Sequence, residues 1–301
     1  MEYVRTFTRE FDVGERAELR VDNRSGAVTV RGGETRTARI EVVARLWGET
    51  EDDADDQVAT IERGIEHDGA RRVSVRAPHL VRPSGWLFLF GRGPRIDYEI
   101  TVPRATEAEL ISRSGRVEVE GLGEPLTVDA RSGRVTVAEI GADVGIISRS
   151  GHVQATDVGG SLSIESRSGK VQVARCTGNV TVHSRSGALQ IEGVGGSLRV
   201  ENRSGYVGLA DVGASLYVRS RSGALRYEGP VKDSFDIELM SGAVTLAIDR
   251  ESVFMLDAET YSGMVRSDLP VRRDPGDGVS RDQAPTLRVR THSGMIRLTP
   301  R

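Results

Sequence analysis

Arginine returns at positions 113, 131, 149, 167, 185, 203 and 221, one every eighteen residues, each inside Ser-Arg-Ser-Gly or a near copy of it. A guanidinium carries a fixed charge and a planar fork of donors that matches carboxylate, phosphate or sulfate oxygens two at a time. Arg116, Arg134, His152 and Lys170 follow the same glycines, so Arg113 to Arg221 form one column and these four widen it into a basic strip. Such a strip supports two readings. One is a solvated, guanidinium-stacked edge that discourages aggregation, which is the default role of exposed arginine. The other is a docking rail for an acidic polymer, for example an acidic glycan, a teichoic-type polymer or a nucleic acid.

The elements that position this column follow from the residues between its members. Val171 and Val173 stand at fixed offsets after one glycine, and Val180 and Val182 come seven residues later; the same offsets hold for Val135, Val137, Val144 and Ile146. Each eighteen-residue unit therefore reads as two short strands with period-two alternation, V-x-V and L-x-V, joined by glycine-containing turns. Neither strand can bury its apolar face alone, and stacking successive coils in parallel at ~4.8 Å lays each column along one continuous core. The expectation is an all-β chain, a two-sheet parallel β-solenoid with eighteen-residue coils. By parity the apolar residues and both serines of the motif face inward and the arginine faces water. The serines are expected to form an inward ladder that bonds the turn backbone.

An early copy of the motif occurs at Asn23-Arg24-Ser25-Gly26, and the next waits until Gly115. Between them the pattern predicts strands at 38–46, 72–76 and 96–102 and a helix at 51–67, capped by Thr50, with Val58, Ile61 and Ile65 as its apolar face. The chain thus divides into residues 1–109, a first coil plus a small α+β insertion or cap, and residues 110–301, the solenoid with irregular C-terminal coils. After Gly223 the period drifts, and the motif returns at Gly242, Gly263 and Gly294, the longest gap holding a polar surface loop. The irregular coils with Phe254, Met255 and Met264 are expected to close that end.

Other chemistry is sparse. His67, His79, His152, His183 and His292 are scattered, without HExxH, a Cys/His cluster, a G-x-S-x-G elbow or a phosphate-binding glycine loop. The acidic run from Glu51 to Asp56 lacks the loop glycine and distal glutamate of an EF-hand, and the column Gly121, Glu139, Asp157, Arg175, Gly193, Asp211 interrupts the aspartate ladder of a calcium β-roll. The single Cys176 occupies an apolar column and reads as a small core residue. No catalytic residue, metal site or cofactor is therefore assigned. Lys170 and Lys232 are the only lysines among 41 basic residues, and the net charge of -3 argues against nucleic acid as the partner.

One apolar run stands out, Trp86-Leu87-Phe88-Leu89-Phe90, flanked by Gly85 and Gly91. It is too short to span a bilayer. It reads either as a flap over the core or as a contact loop for a second copy or for a membrane surface. With no apolar leader at the first residues and no long apolar run, the sequence reads as a cytoplasmic protein with peripheral membrane contact as a further option.

The repeat, the N-terminal insertion and the Ile100-Thr101-Val102-Pro103 lead-in to the first regular coil resemble the bacterial β-strand-repeat family known as "putative adhesin", a domain of unknown function. The resemblance covers most of the chain. It implies the solenoid fold, an adhesin-like scaffold or binding role and an association with envelope stress, and it brings no catalytic residues. The resulting functional reading is a non-enzymatic scaffold or binding module; the alternative is a carbohydrate-active β-helix that binds or cleaves a polysaccharide.

Overall fold

The computed structural model describes residues 1–69, 71–80, 94–269 and 284–301. Over these the chain forms seventeen strands and one helix, in two compact units, Met1–Ile147 and Ser148–Arg301. It is a parallel β-solenoid built on the eighteen-residue coil.

The first unit begins with β1 (Glu2–Asp12), for which the sequence pattern predicts no strand, antiparallel to β4 (Thr37–Trp47), the strand expected at 38–46. β4 pairs antiparallel with β7 (Arg95–Pro103), and β7 runs parallel to β3 (Val28–Gly33). β2 (Arg16–Asn23) lies parallel to both β6 (Arg72–Arg76) and β8 (Ala105–Glu120), while β3 lies on the second half of β8. The early motif copy is thus a true coil, with the insertion's strands on one side and β8 on the other. β9 (Leu126–Ile140) continues the parallel stack.

Between β4 and β6 stands α1 (Glu51–Arg63). Thr50 accepts a hydrogen bond from the Asp53 backbone N–H, and the Asp53 carboxylate accepts from the Thr50 N–H in return. These bonds satisfy two donors that the first helical turn leaves open, and they hold the Asp53 carboxyl below the usual carboxylate range. The helix buries Ala54 and Ile61. It ends at Arg63, four residues earlier than its apolar spacing predicted, because Gly64 caps it and Ile65–Asp68 become β5, a hairpin partner of β6. Ile65 is buried as a strand residue rather than as part of a helical face.

In the second unit β11 (Leu162–Cys176) shows the regular coil. Leu162, Ile164, Val171, Val173 and Cys176 are buried, and they stack on Val180, Val182, Leu189, Ile191 and Val194 of β12 (Val180–Val194). β13 (Leu198–Val212), β14 (Leu216–Gly229) and β15 (Phe235–Ile248) repeat the register. The Ser-Arg-Ser-Gly segment bends each coil without ending its ladder, so one long strand replaces the two short ones expected; pairing of β11 with β12 skips only Arg167 and Arg175. β10 (Val144–Val158) carries the boundary between the two units.

At the end of this unit the order along the stack departs from the order along the chain. β17 (Thr286–Pro300) pairs with β15, and β16 (Met255–Ser267) pairs with β17. The last strand is therefore inserted inside the one before it. Its core columns explain the exchange: β17 brings Leu287, Val289, Ile296 and Leu298, all buried, where β16 offers Leu256, Ala258, Val265 and Ser267. Placing the more apolar coil inside removes more hydrocarbon from water.

Candidate functional site

Every arginine of the column sits at a coil corner and is exposed: Arg113 and Arg131 in the first unit, Arg149, Arg167, Arg185, Arg203 and Arg221 in the second. The corner geometry comes from the two serines and the glycine, though with different roles from those expected. The first serine is inward, and Ser112, Ser148, Ser166, Ser184 and Ser220 are buried, with Asn202 in the same column. The expected ladder to the turn backbone is broken: Ser220 donates to the Ser222 carbonyl at 3.4 Å, but the Ser112 and Ser184 hydroxyls find no partner. The second serine carries the bonding instead. Ser168, Ser186 and Ser204 donate to the carbonyls of Arg149, Arg167 and Arg185 one coil back, at 3.2, 3.4 and 3.3 Å, and Ser132 does the same to Arg113 at 3.2 Å. The backbones of Arg113, Arg149, Arg167, Arg185 and, through Ser241, Arg221 are thereby pinned, and their side chains leave the corner at fixed places in the stack.

Several arginines elsewhere in the second unit face carboxylates, though among the described residues Arg250 and Arg297 do not. Arg175 forms a two-pronged pair with Asp157 at 2.6 and 2.7 Å, Arg199 meets Glu201 at 2.5 Å, Arg219 meets Glu238 at 3.4 Å and Arg288 meets Asp257 at 3.1 Å. These pairings hold the Asp157 and Glu201 carboxyls below their usual range. Glu201 and Glu238 are thus engaged by arginines of the sheet faces. Among the described residues Arg149, Arg167, Arg185, Arg203 and Arg221 have no carboxylate within 4.0 Å. Five fixed cations at ~4.8 Å spacing with no internal counter-ion form a positive edge that a string of anions can neutralise.

The flanking basic residues behave differently. Arg116 pairs with Glu118 at 3.6 Å and stacks in register with Arg134. His152 and Lys170 are half-buried, and after Lys170 the same column reads Ala188, Tyr206 and Ala224, so the widened strip ends there.

Beside that column the outer face of the second sheet carries a groove that repeat spacing did not reveal. Its floor is low because Ala174, Gly208 and Ala210 are small, and the cavity measures about 690 Å³. Gln172 donates to Gln190 across two coils at 3.1 Å, and the Tyr206 ring lies over Gly208, where a Cβ would meet it at 2.9 Å. Glu192 and the Arg226–Glu228 pair line the rest. The signal in the sequence was the loss of the glutamine at Gly208 next to the only aromatic residue in its column.

Trp86, Leu87, Phe88, Leu89 and Phe90 lie outside the described residues. No helix among the described residues is long and apolar enough to cross a membrane.

Parallel coils with pinned corners, an arginine edge and a polar groove define a β-solenoid of the stacked-rack type. The Toastrack DUF4097 family model matches residues 17–299, and the chain belongs to that family. Two solved structures are similar to it: a "putative cell adhesion protein" from Clostridium sporogenes ATCC 15579, 10% identical over the whole of both chains with a TM-score of 0.24, and a "putative adhesin" from Bacteroides fragilis NCTC 9343, 14% identical over 98% of this chain and 97% of that one with a TM-score of 0.31. No curated protein matches the chain.

Proposed function

We propose that the chain is a non-enzymatic, adhesin-like binding module whose arginine edge docks an acidic polymer, in the envelope-stress setting that its family resemblance implies. The observation that carries this reading is the contrast between the two arginine populations of the second unit. On the sheet faces Arg175, Arg199, Arg219 and Arg288 are paired with Asp157, Glu201, Glu238 and Asp257, whereas Arg149, Arg167, Arg185, Arg203 and Arg221 are exposed and without an ion-pair partner. A linear polyanion gains one charge-assisted contact per coil, and binding by counter-ion release weakens steeply as salt rises. The test is binding of dextran sulfate and poly-glutamate to the intact chain across a salt series, beside an Arg167→Glu, Arg185→Glu variant. Salt-independent binding, or equal binding by the variant, removes the proposal.

A second reading, a neutral polysaccharide ligand, is favoured by the groove with Gln172, Gln190 and Tyr206, since amides supply both donors and acceptors to sugar hydroxyls and an aromatic face supports an apolar sugar face. Binding of neutral oligosaccharides that is insensitive to salt and lost in Tyr206→Ala would select it. A contact role of Trp86–Phe90, with a second copy or a membrane surface, belongs to the same proposal and is tested by flotation of a Phe88→Ser, Phe90→Ser variant with anionic liposomes.

A further inference from the structure

Among the described residues, the stack of the second unit ends in an uncovered coil. In β17 the columns of Leu287 and Ile296 are fully covered, but their neighbours in β16, Leu256 and Val265, are 43% and 40% exposed. Around them Tyr261 is 85% exposed and Met264 60%, and Met240, Met255 and Met295 are exposed as well. Every methionine of the chain other than Met1 is therefore at this one end, in a protein with five. Methionine is the adaptable apolar side chain of binding surfaces, and an uncovered strand edge is a template for another strand. The coil expected to close this end does lie outermost, as β16 over β17, but Met255 and Met264 are exposed on it and Phe254 is half-buried. By contrast the first unit has α1 beside β1, β4 and β5.

We propose that this edge is a self-recognition surface, on which a second copy of the chain adds its own β16 antiparallel, about a two-fold axis through the Ser262-Gly263 corner. The coil bends at that corner, so the axis exchanges its two arms. The first arm of one copy, Leu256 to Tyr261, then extends the sheet formed by the second arm, Met264 to Ser267, of the other. Placing Ser262 opposite the other copy's Gly263 fixes every further pair. The core-column residues Ala258 and Thr260 face the other copy's Ser267 and Val265, so the parity of both arms is kept and the open core columns meet. On the outer faces Glu259 meets the other copy's Arg266 and Tyr261 meets its Met264, each pair twice by symmetry. The like-charged pair in this register, Asp257 with Asp268, falls at the strand ends, where Arg288 lies 3.1 Å from Asp257 and Arg266 lies 3.5 Å from Asp268 in the same chain. A register shifted by one residue would turn the core columns to water, and one shifted by two would lose the Glu259–Arg266 match.

The experiment is sedimentation of the full chain over a wide concentration range, with wild type, Glu259→Arg, Arg266→Glu and the double exchange Glu259→Arg, Arg266→Glu. Glu259 also lies 3.6 Å from Arg290, a surface pair whose loss has little effect on folding; circular dichroism verifies the fold of each variant. Wild type is expected at twice the chain mass of 32.6 kDa, each single variant at the chain mass, and the double exchange at twice the mass again. A Tyr261→Cys, Met264→Cys variant is expected to form a reducible covalent dimer in the same register. A monomeric wild type, as when the chain covers its own edge, overturns the proposal. So do open-ended polymers, single variants that stay dimeric, or a double exchange that fails to restore the dimer while remaining folded.

Discussion

Two glycines of one strand make the sharpest test of how the coils are held together. Gly187, at the corner of β12, has φ +128°, and a Cβ there would stand 1.8 Å from the Gly169 carbonyl oxygen of the preceding coil, 2.9 Å from its carbonyl carbon and 3.0 Å from its nitrogen. Gly193 has φ +68° and would bring its Cβ no closer than 3.3 Å to the Arg175 nitrogen. The Gly193 column already accepts side chains, since Glu139, Asp157, Arg175 and Asp211 occupy it at φ between 51° and 56°. Gly187→Ala therefore meets backbone strain on the order of 1–3 kcal/mol. Relieving the clash also parts the coils at the corner and breaks the Ser186 bond to the Arg167 carbonyl, a further loss of about 1 kcal/mol. A total of about 2–4 kcal/mol lowers the melting temperature by roughly 3–6 °C in a protein of this size. Gly193→Ala is expected to cost about 1 kcal/mol, the ordinary penalty of the left-handed region, and Gly193→Asp less. Thermal unfolding followed by circular dichroism checks both. Equal shifts for the two alanine variants, or a larger loss at Gly193, would refute the argument that coil-to-coil contact, rather than backbone conformation alone, requires the corner glycine.

Further outcomes follow from burial and bonding. Val180→Asp places a carboxylate in a column that is 1% exposed and should destabilise by about 3–5 kcal/mol, while exposed Arg185→Ala should change stability by less than about 0.5 kcal/mol; equal melting temperatures would overturn the register. Tyr98→Phe should be neutral or mildly stabilising, because its buried hydroxyl has no partner and burial pushes its pKa far up, whereas Tyr227→Phe loses the bond to the Pro230 carbonyl and should cost about 1 kcal/mol in urea titrations. The Asp53 carboxyl is bonded by the Thr50 and Glu49 backbone N–H groups, which depresses its folded pKa, so its contribution is present above the unfolded carboxylate pKa and is lost as pH falls through the folded one. Asp53→Asn should therefore lower stability at neutral pH and converge with wild type at acid pH; a gap that persists in acid would contradict the linkage.

How much of this was legible without a structure depends on the range of the interaction concerned. Alternation of Leu162, Ile164, Val171 and Val173 around a glycine at constant spacing determines the coil, the inward and outward faces and the exposure of the arginine column, because a period of two admits one burial pattern. Thr50 marks the helix start for the same local reason, since a cap is read from residues within one turn. The helix end at Gly64 was missed because Ile65 and His67 fit a helical stripe as well as a strand, and only pairing with Val75 and Val73 chooses between them. The insertion of β17 between β15 and β16 has no local signature; it depends on which coil buries more hydrocarbon against Phe235, Ile237 and Val244. The partition of the arginines into neutralised and open ones is in part tertiary as well. Arg199–Glu201 and Arg226–Glu228 are same-face neighbours two residues apart, but Arg175 and Asp157 from coils eighteen residues apart, and Arg288 and Asp257 thirty-one residues apart, meet only once the register is formed.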